Sequence, residues 1–279
     1  LTNRKFVTTF HGTYNFSGKL KKFYNSIMVR SDLIIAGSNF IFSHIKDNYS
    51  EFLTNEKKFL VIFRGINIDY FDPSTTLESE EDALRLDWGL KREKKIILLP
   101  GRLTAWKGQE LFIEALSLVN KELGYQSFNA VILGSDQGRD IYTKKIKRLA
   151  EQHRLTGQLI FIENCKNMPL AYKISDLVVS ASIEPEAFGR VAVEAQSMEK
   201  PIIASDIGGS NETVLDNKTG FLFKSGNPES LSKKIVEVLN LDESTLKSMG
   251  IEGRKNVIKK FNVEKMCFST YSEYKKLLN

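Results

Sequence analysis

Two basic residues follow one predicted strand, and their types and spacing suit the binding of an anion. The strand-like run Lys95–Pro100 leads into the segment GRLTAWKG, where Gly101 permits a tight turn and Arg102 and Lys107 supply the charges. Open α/β sheets bind ligands at the carboxyl ends of their strands. A guanidinium, an ammonium and a helix start all favour negative charge there. The pattern predicts a diphosphate site; the alternative is a loop with two solvated bases.

A second candidate segment, SASIEPEAFGRVAVE, follows another predicted strand. We expect Glu186 in the loop and Glu194 in the helix that begins near Gly189. A carboxylate in the second helical turn can accept both hydroxyls of a ribose, and N–H groups at the helix start can bind phosphate oxygens. Glutamates are common on surfaces, but a pair that flanks a Phe-Gly turn at a strand-to-helix junction is much less common. In a third segment, SDIGGSNE, the pair Gly208-Gly209 fits an anion-binding N–H nest or a plain turn.

The elements that position these segments alternate between short apolar runs and helical patterns. Continuous apolar runs are typical of strands that are covered on both faces, and alternation with helices predicts a doubly wound parallel sheet in an α/β fold. The predicted strands are Lys95–Pro100, Asn129–Leu133, Leu159–Ile162, Leu177–Ser180 and Pro201–Ala204. The predicted helices are Gln109–Leu123, Asp140–His153, Val191–Met198 and Pro228–Leu239, and the last of the three that end the chain is Val263–Leu278.

The first part of the chain predicts only part of a second Rossmann-like sheet. Its predicted strands are Phe6–Phe10, Asp32–Ala36 and Lys58–Phe63, with helices at Gly18–Arg30 and Asn39–Asn48. A whole domain of this kind needs about 100–150 residues, so we expect roughly 100 residues upstream of this sequence. Gly65–Ser74 reads as the linker. The predicted division is 1–66, a partial Rossmann-like domain; 67–258, a complete Rossmann-like domain; and 259–279, a terminal helix.

Composition limits the class of protein and its compartment. The chain has 279 residues and a net charge of +6, and it has no apolar run of the ~20 residues that span a bilayer. Its two cysteines, Cys165 and Cys267, lack metal-ligand spacing, and free thiols fit a reducing cytoplasm. Before the first acidic residue, Asp32, the chain carries six basic residues. Such a face can meet nucleic acid, an anionic membrane or a phosphorylated substrate, or it can simply be solvated.

The basic stretch also carries aromatic residues, which bear on two of these alternatives, nucleic acid and an anionic membrane. Phe16, Phe23 and Tyr24 lie among the lysines, as in surfaces that stack bases. We disfavour nucleic acid. In the predicted helix Gly18–Arg30, Phe23 and Ile27 would turn inward and the lysines outward. This pattern instead predicts peripheral contact with the inner face of an anionic membrane.

Metal use is predicted to be absent. No two aspartates are spaced two apart, and His11, His44 and His153 are isolated in the sequence. Fixed cations can stabilise a leaving group in place of a metal ion, and one such donor is worth about 3 kcal/mol. We therefore predict a site that uses no metal ion and no other cofactor.

In order and spacing, the segments GRLTAWKG, SASIEPEAFGRVAVEA, KPIIASDIGGSNETV and TGFLF resemble the retaining glycosyltransferases of family 4. The likeness runs from about Val61 to Leu278, and TFHG at 9–12 extends it upstream. The resemblance implies a GT-B fold and a hexosyltransferase-type reaction. In that fold 1–66 would be a partial acceptor-side domain, 67–258 the donor-binding domain and 259–279 a helix that returns to the first domain. A sugar would pass from a nucleotide-diphosphate sugar, first of all a uridine one, to an acceptor with retention of anomeric configuration. Lipid-linked or cell-envelope acceptors are favoured.

The resemblance also implies roles for individual residues. Arg102 and Lys107 would hold the donor pyrophosphate, Glu194 the ribose and Glu186 the donor sugar. His11 would reach the transferred sugar from the acceptor side, which gives a catalytic set of His11, Arg102, Lys107 and Glu186. The donor-binding set would be Gly101, Arg102, Lys107, Glu186, Phe188, Gly189, Arg190, Val191 and Glu194.

The sequence departs from the family pattern in two places and leaves rival functions open. The family usually has Pro-Asn-Gly where this chain has Phe63-Arg64-Gly65, and the Gly-rich loop that opens the family's first domain is absent. One rival is another enzyme on the same architecture, such as a nucleotide-sugar epimerase or a glucan phosphorylase. A second rival is a non-catalytic remnant that binds nucleotide sugar without transfer. For the chemistry, we favour same-face attack by the acceptor over a Glu186 nucleophile.

Overall fold

The computed structural model describes residues 4–14, 18–53, 58–124, 127–138 and 140–279, and it confirms the predicted α/β class. Two parallel sheets are flanked by helices, and each sheet belongs to a different part of the chain. The first body holds β1 (Val7–Phe10), α1 (Lys19–Asn25), β2 (Leu33–Ala36), α2 (Asn39–Tyr49) and β3 (Lys58–Val61), with strand order β1-β2-β3.

The second body contains the larger sheet. Its strands are β4 (Lys95–Pro100), β5 (Phe128–Leu133), β6 (Leu159–Ile162), β7 (Leu177–Ser180), β8 (Ile202–Ser205) and β9 (Phe221–Phe223). Its helices are α3 (Glu78–Asp87), α4 (Gln109–Leu123), α5 (Asp140–Gln152), α6 (Met168–Ile174), α7 (Arg190–Ser197), α8 (Ser210–Thr213), α9 (Pro228–Leu239) and α10 (Glu243–Lys260). The described strands pair in parallel in the order β6-β5-β4-β7-β8-β9. Renumbered from β4, this is the doubly wound order 3-2-1-4-5-6, whose switch point lies between β4 and β7.

Apolar residues on both faces of the central strand explain why this sheet is covered twice. In β4, Ile97 and Leu99 belong to a core with α4, α5 and α9, whereas Ile96 and Leu98 belong to a core with α6, α7 and α10. All four side chains are buried. Burial of such a side chain contributes about 1.5–3 kcal/mol, so a polar residue anywhere in this run would disrupt one of the two layers.

The chain crosses from the first body to the second and later returns, and the two crossings lie next to each other. The segment predicted as a linker is no free tether, because Ile66 and Phe71 are buried in the second body. The N–H of Ile66 donates to the carbonyl of Phe261, where α11 (Val263–Leu278) is about to begin. Helix α11 then packs Met266 and Leu277 against the core of the first sheet. Thus the crossing from the first body and the return to it lie side by side.

One predicted helix was wrong in form and orientation. Gly18–Arg30 is not one α-helix: α1 ends at Asn25, and a 3-10 turn covers Ser26–Arg30. The Ser26 hydroxyl donates to the carbonyl of Phe23, and such a side-chain bond competes with helical pairing. Phe23 and Ile27 do not turn inward, because they are 57% and 48% exposed. Phe16 lies outside the described residues.

Gly108 connects the β4 loop to helix α4 through a close backbone approach. Its φ is 73°, and a Cβ added there would lie 1.9 Å from the Ala181 carbonyl oxygen, just beyond β7. Gly89 provides a matched case, since its φ is 65° but no atom lies within 4 Å of an added Cβ.

We expect Gly108→Ala to lower the free energy of unfolding more than Gly89→Ala. Both variants carry the strain of a positive φ, about 1–3 kcal/mol. Only Gly108→Ala also forces β-carbon against backbone, which should cost about 2–4 kcal/mol more. Urea denaturation of the two variants measures the difference, and equal losses would contradict the proposed close approach.

Candidate active site

A salt bridge spans the switch point of the larger sheet. Lys107 lies in a 3-10 turn after β4, Glu186 lies in the loop after β7, and Lys107 Nζ is 2.8 Å from Glu186 Oε1. The two side chains are only 14% and 11% exposed. The Ser182 hydroxyl lies 2.5 Å from the same carboxylate oxygen. The crevice beyond β4 and β7, called the switch-point crevice below, thus holds a sheltered cation with a glutamate as its counter-ion.

The loop Glu186–Gly189 is fixed from the neighbouring β8 loop. The N–H of Gly209 donates to the Glu186 carbonyl at 2.8 Å. A Cβ on Gly209 would lie 2.6 Å from Phe188 Cα, so only glycine allows this approach. The buried ring of Phe188 meets Phe261 edge to face with 5.5 Å between centroids. The backbone of the loop therefore has little freedom to move while the sheet is intact.

Glu194 lies in the second turn of α7 and is held by both of its oxygens. Arg190 Nε donates to Oε1 at 2.6 Å, and the Tyr172 hydroxyl donates to Oε2 at 2.8 Å. Tyr172 is buried, and burial first and the Glu194 charge second raise the pKa of its phenol well above the usual value. The phenol therefore stays a donor, which fixes the orientation of the carboxylate and leaves Oε1 facing a partner that is 70% exposed.

The start of α7 lies between these two glutamates. Gly189 precedes the helix and offers no side-chain cap, and although the N–H of Ala192 donates to the Gly189 carbonyl, the N–H groups of Arg190 and Val191 have no acceptor among the described residues and are open to an anion. A cavity of about 430 Å³ opens here. Its lining combines both bodies and consists of Arg64, Gly65, Ile66, Asn67, Glu186, Ala187, Phe188, Gly189, Arg190 and Val263.

His11 directly follows β1 in the first body and lies near Arg64, which lines the cavity. Its pKa lies below the usual value, because partial burial disfavours the charged ring and the nearby Arg64 charge adds repulsion. The imidazole is accordingly neutral at pH 7 and can exchange hydrogen bonds with hydroxyl groups.

Contacts bring most of the predicted site residues to one crevice. Lys107 meets Glu186, which lines the cavity with Phe188, Gly189 and Arg190, and Arg190 meets Glu194. Arg102 lies one residue beyond Gly101 at the end of β4, but its side chain is exposed and forms no hydrogen bond or ion pair with another described residue. The roles assigned to these side chains stay predictions.

A carboxylate of the second body caps a helix of the first. Glu212 accepts hydrogen bonds from the N–H groups of Asn39 and Phe40 at 2.8 and 2.6 Å, and a third from the Asn39 side chain at 2.8 Å. The neighbouring Ser38 hydroxyl donates to the Ala187 carbonyl at 2.5 Å. The N-terminus of α2 is therefore bonded to the α8 segment and to the loop that carries Glu186, which sets the width of the crevice.

Four residues of this arrangement were missed as site residues in the sequence: Arg64, Tyr172, Ser182 and Glu212. Arg64 did carry a signal, since it departs from the family pattern. The other three are ordinary residue types whose partners lie in distant segments. In the described parts of the chain, no group of three His, Cys, Asp or Glu side chains is placed to hold a metal ion, and Cys165 and Cys267 are both free. None of the described helices is long and apolar enough to cross a membrane.

Known proteins share this arrangement of segments. A family model described as glycosyl transferases group 1 matches residues 80–256. An uncharacterized glycosyltransferase of Methanocaldococcus jannaschii is 31% identical over 226 residues, which are 81% of this chain and 56% of the relative. A second glycosyltransferase of that organism is 27% identical over 94% of this chain. This chain spans 63% of that second relative's length, so it covers less than two thirds of either protein.

Solved structures extend the comparison to the fold. A glycosyltransferase from Rickettsia africae is 37% identical with a TM-score of 0.90 and is matched by all of this chain over 72% of its own length. Anabaena HepE, solved in complex with UDP-glucose, is 23% identical with a TM-score of 0.87 and is matched by 98% of this chain over 72% of its length. The second likeness concerns the fold alone.

We expect Glu212→Ala to loosen the contact between the two bodies. The α2 N–H groups lose their acceptor, and loss of a helix cap costs about 0.5–2 kcal/mol. Amide hydrogen exchange at Asn39 and Phe40 should accelerate. Glu229→Ala removes an exposed glutamate from the first turn of α9, within one body, and serves as the control. Equal exchange in both variants would show that Glu212 is not the interbody contact described above.

Proposed function

The chain belongs to the glycosyl transferases group 1 family, and from that premise we propose that it transfers a hexose from a nucleotide-diphosphate sugar to a hydroxyl acceptor. We further propose that transfer retains the anomeric configuration and needs no metal ion. The observation that carries this proposal is the Lys107–Glu186 pair across the switch point, beside the open start of α7. Cation and helix start together suit a diphosphate.

The donor would occupy the crevice by exchanging partners. Lys107 is already paired with Glu186, so the diphosphate replaces the glutamate as its counter-ion, and Glu186 turns to the hydroxyls of the sugar. Arg102, exposed near the end of β4, can close on the same phosphates. Glu194 would accept the ribose hydroxyls when Arg190 leaves Oε1, while Tyr172 keeps the other oxygen in place. Uridine is the base we favour, as in the UDP-glucose complex of HepE.

Catalysis would rest on charge that is fixed before the reaction. The acceptor oxygen forms a bond to the anomeric carbon as the bond to the diphosphate oxygen breaks, and the acceptor proton passes to the departing phosphate. Lys107 and Arg102 stabilise that phosphate as its negative charge grows. Glu186 is not assigned as the nucleophile, because Ser182 donates to its Oε1 and, with the donor bound, the same carboxylate accepts the hydroxyls of the sugar. A covalent sugar on Glu186, seen by mass spectrometry, would contradict this step.

We expect Lys107→Met to weaken binding of UDP-glucose about ten- to a hundredfold, since a hydrogen bond to a charged group contributes about 1.5–3 kcal/mol. Lys145→Met removes a lysine that pairs with Glu110 outside the crevice and should leave the affinity unchanged. Isothermal titration calorimetry measures both, with thermal unfolding as the check on folding. Equal affinities for the two variants would overturn the proposed diphosphate site.

The same protein preparation separates the rival functions. An epimerase would convert its nucleotide sugar without any acceptor, so nuclear magnetic resonance spectra of the donor would change. A non-catalytic remnant would be stabilised by UDP-glucose without turnover in any acceptor mixture. Transfer requires that the donor is consumed only when an acceptor is present.

The surface of α1 supports a membrane-bound acceptor. None of its residues is buried, and Leu20, Phe23 and Tyr24 are 88%, 57% and 72% exposed beside Lys19 and Lys21. Apolar side chains interleaved with lysines suit the headgroup region of an anionic bilayer. We propose that α1 holds the protein against the cytoplasmic face of a membrane that carries a lipid-linked or envelope acceptor.

We expect the double variant Leu20→Ser, Phe23→Ser to lose most of its binding to vesicles that contain phosphatidylglycerol, because the apolar contribution disappears while the lysines remain. Phe268→Ser, Leu278→Ser removes two equally exposed apolar residues of α11 and is the matched control. Vesicle co-sedimentation at low and high salt measures both. Unchanged binding of the α1 variant would exclude α1 as the membrane contact.

A further inference from the structure

Arg64 is a cation in the cavity wall without a counter-ion. Its side chain is half-buried, and no carboxylate of the described residues lies within ion-pair distance of it. The other two cations near the cavity are matched: Lys107 pairs with Glu186, and Arg190 pairs with Glu194. Among the cations that line the cavity in the described structure, Arg64 is thus the unpaired one, whereas Arg102, which is also unpaired, is exposed near the end of β4 and outside the lining.

The Arg64 side chain is also held in position. The backbone N–H of Arg64 donates to the Gly37 carbonyl at 3.2 Å, and the side chain is held beside it. Its Cγ and Cδ lie over Gly37, 3.2 and 3.5 Å from where a Cβ on that glycine would be. The next buried residue, Ile66, is tied to Phe261 by a backbone hydrogen bond. A guanidinium fixed by its stem loses less side-chain entropy when it binds than a freely moving surface arginine does.

The surroundings of Arg64 make its charge costly until an anion arrives. Removal of a cation from water without a partner is unfavourable. His11 offers no compensation, since the Arg64 charge is one cause of its lowered pKa. An oxyanion near Arg64 would relieve both effects, and the planar guanidinium fits phosphate or carboxylate with two hydrogen bonds.

We propose that Arg64 binds an oxyanion carried by the acceptor, a phosphate or a carboxylate close to the hydroxyl that is glycosylated. This inference rests on the proposed function. The donor diphosphate is assigned to Lys107 and the start of α7 on the second body, whereas Arg64 comes from the segment after β3 in the first body and lies near His11. The enzyme would then select charged sugars over neutral ones of the same size.

The test uses the whole chain saturated with UDP, so that the donor cations are occupied. Glucose 6-phosphate, glucuronate and glucose are titrated by calorimetry as the phosphate, carboxylate and uncharged probes. For the unmodified protein, at least one charged probe should bind about tenfold more tightly than glucose. Arg64→Met should abolish that preference, and Arg64→Lys should retain part of it. Arg148→Met, which removes an exposed arginine from α5, should change nothing.

The outcomes separate this inference from the proposed function. If UDP itself does not bind, the proposed function fails. UDP can bind while glucose binds as tightly as both charged probes, or the preference for a charged probe can survive in Arg64→Met. Either result overturns the acceptor inference and leaves the donor site standing. If Arg64→Met weakens UDP as much as it weakens the charged probe, Arg64 belongs to the donor phosphates and the acceptor assignment is wrong. Equal thermal stability of Arg64→Met and Arg64→Lys rules out a folding defect.

Discussion

The position of one loop, Glu186–Gly189, governs the rest of the site. Glu186 bonds to Lys107 from the β4 loop and, through its carbonyl, to Gly209 from the β8 loop. Ala187 packs against the core of the first body. Three segments that are distant in sequence therefore converge on four consecutive residues. Any shift of this loop would change the counter-ion of Lys107, the start of α7 and the width of the cavity together.

The parts of this site that the sequence predicted follow from the geometry of parallel sheets. Carboxyl ends of parallel strands meet at one edge, so the residues after the β4 and β7 runs could be expected at that edge, whereas the direct Lys107–Glu186 ion pair was not predicted. The order of strands and helices followed from apolar periodicity, although α3, α6 and β9 were not predicted. α3 is largely charged, and β9 has only three residues, so neither gives a strong periodic signal.

Tyr172, Glu212 and the exposure of α1 could not be read from the sequence, because each depends on a partner that local pattern does not specify. Tyr172 looks like a core aromatic until its hydroxyl is placed 2.8 Å from Glu194, 22 residues away. Glu212 looks like a surface acid, yet its partners Asn39 and Phe40 lie more than 170 residues upstream. Helix α1 has an apolar pattern, but the pattern cannot say whether any element covers it.

The ion pairs of the crevice connect the binding of an anion there with the contact between the two bodies. With no anion present, Lys107 and Arg190 are neutralised by glutamates of the same body, whereas the bond of Glu212 to α2 joins the two bodies. A ligand that takes Lys107 away from Glu186 frees the Glu186 carboxylate. The loop that carries Glu186 is connected to α2, because the Ser38 hydroxyl donates to the Ala187 carbonyl. A change at Glu186 can therefore displace Ala187, the next residue, and with it the hydrogen bond to Ser38 at the contact between the two bodies. Loss of a helix cap costs about 0.5–2 kcal/mol, which is small enough for the binding free energy of a ligand to overcome, while the Ile66–Phe261 bond and α11 keep the bodies joined.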